Sequence, residues 1–257
     1  MKIKLAILEQ DQSYLNRIVS VFSTKYADKF QIYSFTDPEV AFANLDSAKI
    51  EILVASDAFE IDTSKLPKRC GFAYFVDFAD VETHLGQRAI CKFQKADLIY
   101  KQILSIYSEN AGNVSGLKFG DDSSKLIFFQ PVSGGVGASC MAAACAIHFA
   151  AKGKKTLYLN LEQFGSSDNF FDAEGQFDMS DVIFAIKSKK ANLPIKLESC
   201  VKVDPRGVYF FSETKNAMDM LELEIDTLKE IITKCPESLL DVMMIRYQSL
   251  MILPFQR

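Results

Sequence analysis

The stretch Ser133-Gly134-Gly135-Val136-Gly137-Ala138-Ser139 carries the residue types best suited to chemistry in this chain. Glycines let a backbone approach a ligand closely. Consecutive N–H groups in such a turn point inward, and a helix starting at its end adds a positive dipole. Together these features hold phosphate. A glycine turn alone is weak grounds, because any tight strand-to-helix connection uses glycine. The setting sharpens the reading: a run apolar but for Gln130, Leu126–Val132, precedes the turn, and an alanine-rich run, Ala138–Ala151, follows it with Cys140 in its first turn. A hydroxyl, Ser139, stands at the start of that run. A further apolar run, Thr156–Leu161, follows at the expected distance and ends in the polar pair Asn160 and Glu162.

A second group lies in the first half. Glu9 and Asp11 follow the apolar run Ile3–Leu8, Ser56 and Asp57 follow Ile50–Ala55, and Lys95 follows Ala89–Cys91. These positions resemble those of response-regulator receivers, which keep an acidic cluster after strand one, a phosphoacceptor Asp after strand three and a Lys after strand five. The resemblance implies a receiver-like pocket of Glu9, Asp11, Ser56, Asp57 and Lys95 with Ser56 in the acceptor position. Successive side chains of a strand face opposite ways, so Asp57, one residue late, is expected to turn away. The implied module serves interaction, not phosphotransfer.

The elements that must position these groups read as strands alternating with helices. In the first half, strands are expected at Ile3–Leu8, Gln31–Phe35, Ile50–Ala55, Phe72–Val76 and Ala89–Cys91, with helices at Tyr14–Phe22, Pro38–Leu45 and Asp97–Tyr107. Asp37 caps the second helix, and Pro38 suits its first position. The polar stretch Ser108–Gly116 reads as a linker, which gives domains of 1–112 and 113–257. In the second half, strands are expected at Leu126–Val132, Thr156–Leu161, Gly207–Phe211 and Asp241–Ile245. Helices are expected at Ala138–Ala151, Asp178–Lys190 and, as one long helix, Ala217–Lys234. This alternation predicts an α/β protein of two doubly wound domains.

At the glycine turn the chain resembles the deviant Walker A loop, KGGxGK[ST], of the MinD/ParA ATPases. The signature lysine of that loop falls on Ser133 and its second lysine on Ala138. Asp241–Ile245 reads like the strand before a Walker B aspartate, but Arg246 stands where the acid is expected, and Asn160 replaces the first of two acids. With Tyr158–Gly165, the pattern resembles the TadZ/CpaE-like branch, pilus-assembly localisation proteins that pair a receiver-like domain with an atypical ParA-like one. The resemblance implies ATP and Mg²⁺ as ligands and Ser133 to Cys140 as nucleotide-binding residues. Ser139 and Glu162 become the metal contacts, with Glu162 the catalytic candidate. It also implies a homodimer, partners in a pilus or secretion assembly, and a cytoplasmic protein recruited to the cell pole or inner membrane face. A usual MinD-type core continues further, so truncation or a frame change near Arg246 is expected.

Composition narrows the classes. In 257 residues, 49% hydrophobic and 24% charged, there is a sizeable core, and a net charge of −4 argues against nucleic acid as partner. No run suits a membrane span or a signal peptide. The six cysteines lie singly, without a CxxC pair, as buried free thiols of a reducing compartment would. Two histidines, His84 and His148, exclude multi-histidine chemistry. The missing lysines and acid argue against efficient hydrolysis. Two readings stand: a nucleotide-binding scaffold, and a signalling or adaptor protein that acts through the receiver-like domain without nucleotide.

Overall fold

The structure, a computed structural model, describes residues 2–110, 125–131, 133–162, 164–188, 192–221, 223, 225–234 and 241–246. The chain divides into two compact units, Met1–Leu117 and Lys118–Arg257, each with its own sheet. Residues 111–116 of the expected linker, and the expected boundary at 112, lie outside the described residues.

The first unit runs β1 Ile3–Leu8, α1 Gln12–Lys25, β2 Phe30–Phe35, α2 Pro38–Ser47, β3 Ile52–Ser56, β4 Gly71–Val76, β5 Thr83–His84, β6 Gln87–Cys91 and α3 Ala96–Asn110. Its sheet has the order β2-β1-β3-β4-β6-β5, parallel throughout except for β5, which turns back on β6. Without β5, this is the flavodoxin-like order of receivers. Strands β3 and β4 are buried along their whole length, as covering on both faces requires. Ala6, Leu8, Leu53, Ala55, Phe72 and Tyr74 pack with Ala41 and Leu45 of α2. By alternation Leu5, Ile7 and Phe75 point to the other face, where Leu15, Ile18 and Phe22 of α1 and Ile103 of α3 are buried. Each fully buried side chain of this size contributes about 1.5–3 kcal/mol.

The pattern departs from a full receiver after β3. No α-helix connects β3 to β4 or β4 to β6. A single 3₁₀ turn, Thr63–Lys65, and the β5–β6 hairpin stand there instead. Ile61 from this loop is buried, and its N–H donates to the Tyr74 hydroxyl at 3.1 Å, so the loop takes over the covering that a helix would give. Helix α3 extends through Ser108–Asn110, which the sequence reading gave to the linker. Ser108 is buried and donates to the Ser105 carbonyl, and the Asn110 amide donates to Ile106 O. Polar side chains that bond back into their own helix carry no mark of it in composition.

The second unit runs β7 Lys125–Phe129, α4 Ala138–Ala151, β8 Thr156–Asn160, α5 Met179–Ser188, α6 Leu193–Cys200, β9 Lys202–Val203, β10 Val208–Phe210, α7 Ala217–Leu221, α8 Ile225–Lys234 and β11 Val242–Arg246. The order β7-β11-β8-β10-β9 is parallel except at the edge strand β9. One face packs Ala142, Ala143 and Ala146 of α4 on Tyr158 and Phe210. The other packs Val182 and Ile186 of α5 and Ile231 of α8 on Leu157, Leu159 and Met243. The alanines let α4 sit close, which brings its first turn over the sheet edge. β7 stops at Phe129, before Pro131, which has no N–H to give to the ladder. Asp178 begins α5 with a capping box: its carboxylate accepts from Ser180 N, and Asp181 accepts from Asp178 N. The long helix expected over Ala217–Lys234 is two helices interrupted between Leu221 and Ile225. The apolar period continues across the break, so periodicity alone carried the reading through it.

Candidate functional site

Both candidate sites stand at the carboxyl ends of parallel strands, where α/β sheets bind their ligands. In the first unit, β1, β3, β4 and β6 are followed directly by Glu9, Asp57, Asp77 and Lys92. The Lys92 ammonium is 3.0 Å from Glu9 Oε2, 3.3 Å from Asp77 Oδ1 and 3.9 Å from Asp57 Oδ1, and it donates to Ser56 Oγ at 3.2 Å. Glu9 is 1% exposed, and Oε2 has that ammonium as its sole partner among the described residues. Burial works against the lysine charge, but Glu9 and then Asp77 raise the pKa above that of an ordinary lysine. Lys92 therefore stays charged in this pocket. Tyr14 roofs the cluster: its hydroxyl donates to Lys92 O, and its ring meets Phe75 and Phe93 edge-on.

The lysine that the structure sets among these acids is Lys92. β6 ends at Cys91, and the first residue past the strand, not the fourth, lies over the sheet edge. Lys95 accepts helix N–H groups with its carbonyl at the start of α3 instead. Asp11 is drawn away as well. Its carboxylate caps α1 through Ser13 N and Tyr14 N, while its own N–H donates to Glu9 Oε1. Asp57, expected to turn away, stays at the pocket mouth 3.5 Å from Ser56 Oγ, because β3 ends at Ser56 and alternation stops with the strand. Asp77 was not anticipated. An acid directly after the apolar run Phe72–Val76 was the available signal.

In the second unit, β7 delivers the chain to Ser133–Gly137 and α4 receives it at Ala138. Gly135 and Gly137 have φ of 77° and 78°, a left-handed conformation that favours glycine. Gly137 is the N-cap of α4 and has no side chain to cap the helix, whose N-terminal dipole favours an anion. A Cβ at Gly134, Gly135 or Gly137 would meet nothing within 4 Å, so the cradle is open. Ser133, Val136 and Cys140 are exposed, and Ala138 and Ser139 are half-buried.

The Ser139 hydroxyl donates to Glu162 Oε2 at 3.4 Å, so the structure brings together the two residues read as metal contacts. Asn160 holds the acid in place: its Oδ1 accepts the Glu162 N–H at 3.1 Å. Gly165, which the sequence reading gave no role beyond closing the Tyr158–Gly165 pattern, fits against both. A Cβ there would lie 2.7 Å from Glu162 Oε2 and 2.8 Å from the Asn160 amide nitrogen. Arg246 ends β11 with its backbone paired between Phe129 and Asn160, in line with the strand ends that carry the loop and the acid. Among the described residues no cluster of three His, Cys, Asp or Glu could cage a metal. A hydroxyl and one carboxylate still fit Mg²⁺, which takes one or two protein ligands and completes its shell from phosphate and water. The five cysteines among the described residues are free; Cys70 and Cys200 are buried, which pushes both thiols up to about 12, and Cys140 is exposed. No helix among the described residues is long and apolar enough to cross a membrane.

Residues 1–108 match the family model described as TadZ-like, receiver domain. No curated protein matches the chain. Among solved structures, the BceF tyrosine kinase domain is similar at 15% identity over 61% of this chain and 56% of its own, with a TM-score of 0.35. NtrX from Brucella abortus, solved in complex with ATP, is similar at 12% identity over 97% of this chain and 63% of its own, with a TM-score of 0.37. The chain spans less than two thirds of the length of either, and likeness at these scores carries no weight for the site.

Proposed function

We propose that this chain is an ATP-binding scaffold or localisation component of a pilus or secretion assembly, with little or no hydrolysis of its own. The match of residues 1–108 to a TadZ-like receiver domain carries the assembly role. The Lys92 cluster supports an interaction module without phosphotransfer, since a fixed ammonium already neutralises the acids that would hold a metal. Recruitment to the cell pole or inner membrane face, and pairing of two copies, belong to the same reading.

In the second unit, the backbone N–H groups of Gly135, Gly137 and Ala138 would hold the phosphates. Ser139 and Glu162 would hold Mg²⁺, which when bound supplies the positive charge that the phosphates need. Asn160 fixes the acid for that task. Lysine is missing at 133 and 138, so no side chain of the loop follows charge onto a leaving phosphate. The open cradle above Gly137 and the Ser139–Glu162 contact support binding; the missing charges oppose turnover.

Equilibrium titration of ATP with and without Mg²⁺ tests the reading. Saturable, Mg²⁺-strengthened binding with turnover near background is expected. No binding at millimolar ATP would sink it in favour of an adaptor that works through the receiver-like unit alone. A rate of about 1 s⁻¹, ordinary for an enzyme, would make the chain an ATPase instead.

A further inference from the structure

The first unit carries opposite charge at its two ends. At the carboxyl ends of its strands lie Asp57, Glu60, Asp77 and Asp80, with Asp11 and Asp37 at the helix starts beside them. Phe78 and Phe93 stand among these acids, each 74% exposed, on the loops that follow the paired strands β4 and β6. Lys92 is turned inward to Glu9, and Lys95, exposed past β6, is outnumbered by these acids, so the rim keeps its negative sign. At the amino ends of the same strands lie Lys2, Lys4, Lys29, Lys49, Lys68, Arg69 and Arg88, against Asp28, Asp46, Glu51 and Glu109, so bases outnumber acids there. Backbone hydrogen bonds set these strand starts side by side: Ile3 N donates to Lys29 O, Glu51 N to Lys4 O, and Gly71 N to Glu51 O.

A strand of six residues separates the two ends by about 20 Å at 3.3 Å per residue. The Debye length at physiological salt is about 8 Å, so neither end cancels the other and each presents its own sign to solvent. Two aromatic rings in an acidic rim suit a cationic surface, because Lys and Arg side chains bind ring faces and carboxylates together. The row that ends in Lys68 and Arg69 is such a surface.

We propose that the receiver-like unit associates head to tail with a second copy of this chain, the acidic, aromatic end of one copy seated on the basic end of the next. Such a contact is heterologous. Each copy keeps one free end, so it builds rings or open chains, unlike a two-fold dimer. The proposal stands apart from nucleotide binding.

Sedimentation of the full chain without nucleotide tests it. The weight-average mass should rise with protein concentration at about 0.1 M salt and lose that dependence at about 1 M, where the Debye length falls to about 3 Å. Lys68→Glu with Arg69→Glu makes both ends acidic; Glu60→Lys with Asp80→Lys sets two bases among the four acids that remain at the other end, where they oppose the approach of Lys68 and Arg69. Each variant alone, its fold checked by circular dichroism, should show no such rise, and an equal mixture should recover it, because each then meets a complementary end. Phe78→Ala with Phe93→Ala should weaken it at least tenfold. A wild-type mass independent of concentration, variants that assemble alone as the wild type does, or a mixture that fails to assemble would each overturn the proposal.

Discussion

Lys92 shows how much one residue decides. Glu9 is buried with the Lys92 ammonium as its counter-charge, so Lys92→Met leaves a buried carboxylate with the Asp11 N–H but no cation and should cost about 3–5 kcal/mol, as breaking one side of a buried pair does. Denaturant unfolding measures it, and adding Glu9→Gln should restore part of the loss; a Lys92→Met protein as stable as the wild type would refute the pairing. Asp204 makes a second residue-scale case. It is 2% exposed and accepts both Nε and Nη2 of Arg206 as well as Asp172 N. The Arg206 hydrogen bonds hold its pKa down to about 2, from an ordinary 3.8. The folded pKa is the lower one, so the contribution is fully present above pH 3.8 and is lost as pH falls through 2. Acid titration of Asp204→Asn should show a shallower loss of stability than the wild type across that window. Both residues were named in the chain, but what each touches was not legible there. Lys92 meets acids from three other strands, and nothing local to it marks that encounter.

At the scale of elements, the loop between β7 and α4 and the turn after β8 act as a pair. Gly137→Val places a β-branched residue at a φ of 78°, where the added Cβ meets open space. The cost is backbone strain of about 1–3 kcal/mol, so the unit should remain folded while the phosphate cradle is spoiled. Ser139→Ala should lower Mg²⁺-dependent ATP affinity and leave Mg²⁺-free binding nearly unchanged. Gly165→Ala should have the same signature as Ser139→Ala without touching the loop, because its Cβ would displace the Glu162 carboxylate. ATP titration with circular dichroism separates these outcomes; Gly165→Ala binding as the wild type does would remove Glu162 from the metal site. The glycine loop was readable because strand, glycines and alanine-rich helix are contiguous. Gly165 was not, because its requirement comes from side chains of Asn160 and Glu162 folded back over it.

On the whole-molecule scale, two units with separate sheets and cores should melt as two cooperative transitions. Calorimetry should show ATP with Mg²⁺ raising only one transition, by linkage to the folded state, and Lys92→Met lowering only the other. A single transition shifted by both would contradict this independence. The sequence by itself determined the α/β class, most strands and helices, and the glycine loop, because period, caps and apolar runs act over a few neighbours. The tertiary structure alone decided that β11 enters between β7 and β8 and that a 3₁₀ turn and a hairpin replace helices after β3. It likewise put Lys92 among the acids, and acids and bases at opposite ends of one sheet. Those outcomes depend on which distant strands pair and where each one ends. Register is a property of pairs, and no segment carries it alone.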